Sequence, residues 1–167
     1  MTHRENTLMA FDGYVKANQI ELEDKNVIDV GAGEGRPART LLEERKLIYL
    51  GIDIKDSPSI NMIKIPYPDK SFDIVFCCHA FEHCERPIDA MREFRRIVSD
   101  QGFIFISTPN PCHKQILAGD EDHIFCLDAM QMQKLLNYCD IEGLSFLQTE
   151  NIKEPQDWNI ITIGKRP

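Results

Sequence analysis

The sequence predicts an α/β fold: one doubly wound, mostly parallel sheet of about seven strands that ends in an antiparallel C-terminal hairpin. Three observations carry that prediction. Short apolar runs alternate with helically spaced segments between residues 27 and 138, the order that covers a parallel sheet on both faces. Phe103-Ile104-Phe105-Ile106 is apolar at four consecutive positions, as in a strand buried on both sides. The last two β-like runs have no long helix between them, so they pair in opposite directions. At 167 residues the chain fits one domain and can bury a core without disulfides or metal. Residues 1–24 read as an N-terminal helical segment ahead of the main domain, 25–167.

Each element has its own signal. Over residues 8–20, Leu8, Phe11 and Val15 share a face, which predicts a short amphipathic helix. Val27-Ile28-Asp29-Val30 is a strand that stops at Gly31. Pro37 is tolerated in a first turn and opens a helix to about residue 44. Residues 47–52 form the next strand. Residues 60–65 read as a brief third strand, weakened by Asn61 and Lys64. A stronger strand covers 71–77. Ile88, Met91, Phe94 and Val98 give helical spacing over 87–98, and Ser99-Asp100-Gln101-Gly102 reads as a turn into strand 103–107. Asp128 caps a helix over 129–138, with Gln131 in the reciprocal position. Residues 144–149 and 158–163 are the two hairpin strands, joined by a polar segment that contains Pro155.

Composition excludes several classes. With 43% hydrophobic and 28% charged residues, the chain is not disordered. No run approaches the roughly 18 apolar residues of a membrane span, and Met1 to Thr7 lacks the apolar region of a secretory signal. The net charge of −8 repels a polyanion on average, which argues against nucleic acid as a partner. Six cysteines, none before Cys77, read as free thiols in a reducing cytoplasm.

The sharpest chemical signal is Val30-Gly31-Ala32-Gly33-Glu34-Gly35, a strand running into three closely spaced glycines. Gly31 and Gly33 let a ligand approach the backbone. Asp53 lies twenty residues beyond Gly33, at the end of the next strand, where a carboxylate can accept both hydroxyls of a ribose. A dinucleotide fingerprint needs glycine where Arg36 stands, and Glu34 would crowd a pyrophosphate with negative charge. No Gly-Lys-Ser or Gly-Lys-Thr occurs. The ligand is therefore read as a nucleoside without phosphates, and an NAD-linked oxidoreductase is the third choice.

Asp29-Val30-Gly31-Ala32-Gly33-Glu34-Gly35 resembles the first motif of the class I S-adenosylmethionine-dependent methyltransferases, whose domain is Rossmann-like. Four further segments resemble the small-molecule "type 11" branch: Ile65-Pro66-Tyr67-Pro68-Asp69-Lys70-Ser71-Phe72-Asp73, His79-Ala80-Phe81-Glu82-His83, Glu93-Phe94-Arg95-Arg96-Ile97 and Ser107-Thr108-Pro109-Asn110. The resemblance covers residues 25–164. It implies methyl transfer from S-adenosylmethionine, with S-adenosylhomocysteine as product. It also implies residue roles. Gly31, Ala32 and Gly33 pass beneath the methionine part, and Asp29 anchors that loop and, through water, the amino group. Asp53 holds the ribose, and Ile54 lies against the adenine. Asn61, where the family usually has Asp, and Met62 contact the adenine ring. Cys78 and His79 border the methionine and its methyl.

Two departures shorten the pattern. Only eleven residues separate Asp53 from Ile65, too few for the usual helix and strand. The stretch from Pro109 to Leu127 makes a short lid, so a large acceptor or a partner subunit must cover the site. The acceptor itself, small molecule or protein, is not specified by the residues. A noncatalytic scaffold or regulatory subunit that kept the fold is the alternative.

A base is needed only if the acceptor must lose a proton. Imidazole titrates near neutrality, which makes His79 and His83 the catalytic candidates, with His113 and His123 as lid or substrate residues. Glu82 either orients a neighbouring imidazole or faces water. The Cys and His residues between 77 and 126 match no regular zinc spacing, so no metal site is expected. Arg92, Arg95 and Arg96 read as a solvated helix face paired with neighbours such as Glu93.

Overall fold

The computed structural model describes residues 3–34, 38–56, 58–112, 123–149 and 158–167. In chain order these form α1 (His3–Ala17), β1 (Asn26–Val30), α2 (Arg39–Glu43), β2 (Ile48–Ile52), β3 (Phe72–Cys78), a 3-10 turn (Phe81–His83) and α3 (Pro87–Ile97). They continue with β4 (Val98–Pro109), α4 (Ala129–Tyr138), β5 (Glu142–Gln148) and β6 (Asn159–Lys165). The sheet runs β2-β1-β3-β4-β6-β5. Its first four members are parallel, and β6 is antiparallel to both β4 and β5. The expected doubly wound sheet and antiparallel end are both present.

Alternation along the strands divides the core between two faces. Ile28, Val30, Val75, Cys77, Ile104 and Ile106 pack on one side with Met91, Phe94 and Ile97 of α3 and Met132 and Leu136 of α4. Val27, Ile74, Phe76, Cys78, Phe103 and Phe105 point the other way, toward Leu8 and Phe11 of α1 and Leu42 of α2. Phe11 is fully buried. It meets the rings of Phe76 and Phe105 edge-on, at centroid distances of 5.9 and 5.3 Å, a favoured aromatic geometry. Thr7 of α1 also donates from Oγ1 to Ser107 Oγ at 2.9 Å.

The structure departs from expectation in three places. The helix expected over 8–20 starts five residues earlier and ends at Ala17. The turn expected at Ser99–Gly102 lies inside a continuous β4, with a register shift between Phe72 and Ile74 opposite it. The brief strand expected at 60–65 is a set of turns, so the sheet has six strands among the described residues instead of about seven. Only six residues stand between Asp53 and Ile60, fewer than the roughly 10–12 that a parallel crossover requires.

Side chains of α3 replace the missing ladder. Ile65 N–H donates to Glu93 Oε1 at 2.6 Å, and Arg96 Nη2 donates to the Ile65 carbonyl at 2.9 Å. Arg96 also binds Glu93 Oε1 at 2.7 Å, the Tyr67 carbonyl at 2.8 Å and Asp69 Oδ1 at 2.9 Å. The arginines of α3 are thus used internally: Arg95 Nε donates to the Asp140 carbonyl, and Arg92 lies over the Tyr138 ring. At the start of α4, Asp128 and Gln131 form the expected capping box, with bonds of 2.8 and 2.9 Å. No helix among the described residues is long and apolar enough to cross a membrane.

Phe11→Ala should cost about 3–5 kcal/mol in urea unfolding, the usual range for emptying a buried aromatic site. Glu93 gives a pH test. Burial pushes its carboxyl up, but the Arg96 and Ile65 hydrogen bonds and the Arg96 charge outweigh it and hold the pKa below the ordinary value. A lowered folded-state pKa stabilises the fold above the unfolded value and loses that contribution as pH falls through the folded value. Glu93→Gln should therefore cost about 1–3 kcal/mol at pH 7. The gap from the parent protein should close as the pH is taken below about 4.

Candidate functional site

The chain leaves β1 toward β2 on one side and reaches β3 on the other. This reversal opens a crevice at the carboxyl ends of β1 and β3, the place where open α/β sheets bind ligands. Gly31 begins the crevice with φ +74° and Gly33 follows with φ +71°, conformations that favour glycine. At Gly31 a second constraint applies: an added Cβ would lie 2.2 Å from Ala80 Cβ. What the glycine admits there is the neighbouring strand end. Gly31 and Ala32 both donate their N–H to the Ile52 carbonyl, at 2.9 and 3.0 Å.

Asp53 completes the bend. Its Oδ2 accepts Gly33 N–H and its Oδ1 accepts Lys55 N–H, each at 2.9 Å. Its own N–H donates to Asp56 Oδ2 at 2.7 Å. Beneath the loop, Asp29 is 2% exposed and accepts the Tyr49 hydroxyl at 2.8 Å. A cleft of about 590 Å³ opens beside this bend, within the usual range for a small-molecule site. Gly31, Gly33, Asp53, Ile54, Asn61, Met62, His79 and His83 all line it. Lys55, Ile60, Glu85 and Arg86 line it too, and no motif singled them out.

Three of the nominated residues sit outside that wall. Asp29 is buried beneath the loop, and Ala32 is buried within it. Cys78 turns toward α1, with Sγ 3.5 Å from Thr7 Oγ1. Alternation decides this: Cys77 and Cys78 face opposite core clusters. On the adenine side of the expected site, Ile54 is 59% exposed. Asn61 Oδ1 accepts Ile63 N–H at 3.1 Å, which closes a turn.

At the tip of β3 the backbone bends sharply. His79 has φ +51°, uncommon for a residue with a Cβ. Its N–H donates to the Ser107 carbonyl at 2.9 Å. The 3-10 turn that follows is anchored by Phe81, packed between Phe94 and Phe125 at centroid distances of 6.0 Å each. This geometry drives Glu82 inward until it is 1% exposed. Its Oε1 lies 3.7 Å from His79 Nδ1 and 3.9 Å from His123 Nε2. Its carbonyl accepts Ile124 N–H at 3.1 Å, which brings His123 across the turn. The His83 and His123 rings are 4.8 Å apart. Burial pushes the Glu82 carboxyl up to about 7, with its own backbone N–H pulling part way back. The buried position of Glu82 was not readable from its spacing; the visible signal was a carboxylate flanked by His79 and His83. His113 lies outside the described residues.

Residues 1–154 match the methyltransferase domain family, nearly the whole chain. The chain belongs to that family. It is 27% identical over 165 residues to the tRNA U34 carboxymethyltransferase of Nautilia profundicola, covering 88% of this chain and 52% of that protein. It is 28% identical over 122 residues to a ubiquinone biosynthesis O-methyltransferase of Rickettsia bellii, covering 63% and 50%. The chain thus spans about half the length of these curated relatives. Among solved structures, it superposes on an S-adenosylmethionine-dependent methyltransferase from Aquifex aeolicus with a TM-score of 0.69. That match has 16% identity and covers 93% of this chain and 90% of the other, a likeness of fold.

In this methyltransferase domain, Gly31→Ala forces both a positive φ and a clash with Ala80. Urea unfolding should show a loss of about 2 kcal/mol or more.

Proposed function

We propose that the chain transfers a methyl group from S-adenosylmethionine to an acceptor by in-line attack on the sulfonium methyl. The observation that carries this reading is the clasp of Gly33 N–H on Asp53 at the edge of an open cleft. S-adenosylmethionine supplies a methyl already activated on a positively charged sulfur. The chain's contribution is then mostly to bind, orient and exclude water.

Asp53 suits a ribose. Each carboxylate oxygen offers two acceptor positions, and Gly33 and Lys55 N–H take one on each side. The remaining positions accept the two sugar hydroxyls. The Gly31–Gly33 bend carries the methionine part, held from below by Ala32 N–H on Ile52 and by Asp29 on Tyr49. Ile54 offers an apolar surface to the adenine, with Met62 and the second acceptor position of Asn61 beside it. The Cys78 backbone and His79 bound the methyl end. His79 stands in the cleft wall where it can take an acceptor proton, and His83 lines the same wall. An acceptor or a partner subunit covers the cleft.

Calorimetry with S-adenosylhomocysteine tests the reading. Saturable binding is expected, and Asp53→Ala should weaken it about 10–100-fold, the effect of losing one or two charged hydrogen bonds. Folded protein that ignores both S-adenosylmethionine and S-adenosylhomocysteine at millimolar concentration would return the chain to the scaffold alternative. NADH in the same titration should give no heat.

A further inference from the structure

Glu82 has no use in the cofactor grip just described, yet it is among the most buried charged residues. It is 1% exposed, and among the described residues neither carboxylate oxygen has a hydrogen-bond partner. A buried carboxylate left uncompensated is costly, so such groups are paired or bind metal. Around this one, imidazoles converge from two separate segments. One ligand atom each from Glu82, His83 and His123 can be chosen so that all lie within 4.8 Å of one another. The juxtaposition is held from outside. The Glu82 carbonyl accepts the Ile124 and Phe125 N–H groups, and Phe81 anchors the turn between Phe94 and Phe125.

We propose that Glu82, His83 and His123 form a binding site for a divalent transition-metal ion behind the part of the cleft wall that His83 lines. Two imidazole nitrogens and one carboxylate suit zinc, manganese, iron or cobalt better than calcium or magnesium, which prefer all-oxygen sites. An ion about 2.0–2.2 Å from each donor draws the donors to within about 4 Å of each other. The three side chains therefore need to close by an ångström or so. His79 stands next to the set, with Nδ1 3.7 Å from Glu82 Oε1. This departs from the expectation of no metal, which weighed linear spacings of Cys and His. His123 is forty residues from His83, and only folding brings the two together.

The position suggests the ion's task, and this part rests on the methyltransferase reading above. His83 and His79 line the same cleft as Gly31 and Asp53. Three protein ligands leave coordination positions open. An acceptor hydroxyl bound there becomes more acidic. Its proton leaves to His79 or water, an oxygen lone pair forms the new O–CH₃ bond, and the C–S pair returns to sulfur as the neutral thioether. The substrate class is then an oxygen acceptor with a metal-binding hydroxyl.

The test begins with protein stripped by EDTA and titrated calorimetrically with ZnCl₂ and, separately, MnCl₂. Co²⁺ absorption spectra report the ligand set. One ion per chain is expected, with visible cobalt bands that change in His83→Ala. Glu82→Gln, nearly identical in shape, and His123→Ala should each weaken binding about 100-fold or more, beyond the loss typical of an outer-shell change. Both variants should still bind S-adenosylhomocysteine, which shows that they fold and separates this proposal from the cofactor reading. If His123→Ala fails to fold, Glu82→Gln decides. The proposal is overturned by an absence of saturable metal uptake. Equal uptake by the parent protein and Glu82→Gln would overturn it too, by placing the ion elsewhere.

Discussion

The bond between Gly33 N–H and the Asp53 carboxylate joins the tips of two adjacent parallel strands, and the site is organised around it. It requires β1 and β2 to end at the same height, which their register supplies by pairing Val30 with Ile52. It also requires the chain after Val30 to double back within three residues. That is the reason for positive φ at both Gly31 and Gly33. The same bend lies against Ala80 just beyond β3, so it meets the chain at the ends of both neighbouring strands. A ligand meeting this surface finds its donors and acceptors already oriented.

The short link after Asp53 changes one wall of the cleft without opening the core. With too few residues for a helix and a returning strand, the segment around Ile65 cannot join the sheet. Its backbone groups still need partners where they are buried. Glu93 and Arg96 supply them from α3, as a fork of charge-assisted hydrogen bonds. The basic cluster of α3 is thereby committed to the fold. The apolar residues Ile54 and Met62 remain at the cleft, carried by turns instead of regular elements.

The far wall has a different character. A strained His79, a 3-10 turn and a segment returning near His123 bring three imidazoles around one buried carboxylate. Polar groups concentrated in a protein interior usually serve a specific purpose when their burial is imposed by rigid neighbours. Phe81, locked between two aromatic rings, is such a neighbour. One side of the cleft is thus built from backbone and a carboxylate, and the other from imidazoles gathered around a buried acid.

Local sequence determined the elements and the glycine bend. Strand alternation, the Asp128–Gln131 cap and the Val30–Gly31 boundary depend on neighbours a few residues apart, so they are legible in a linear reading. The place of Asp53 at the end of the neighbouring strand was legible for the same reason, because a strand–helix–strand unit has a nearly constant span; its hydrogen bond to Gly33 N–H was not. Tertiary structure alone decided three things. It removed the strand at 60–65, whose fate depended on the length of the link before it. It turned Cys78 away from the cleft toward α1. It also drew Glu82 and His123 together across some forty residues, a contact set by the packing of Phe81 and the hydrogen bonds of Ile124 and Phe125. Side-chain direction at a strand end and contacts between distant segments arise from packing in three dimensions, and no periodicity along the chain encodes them.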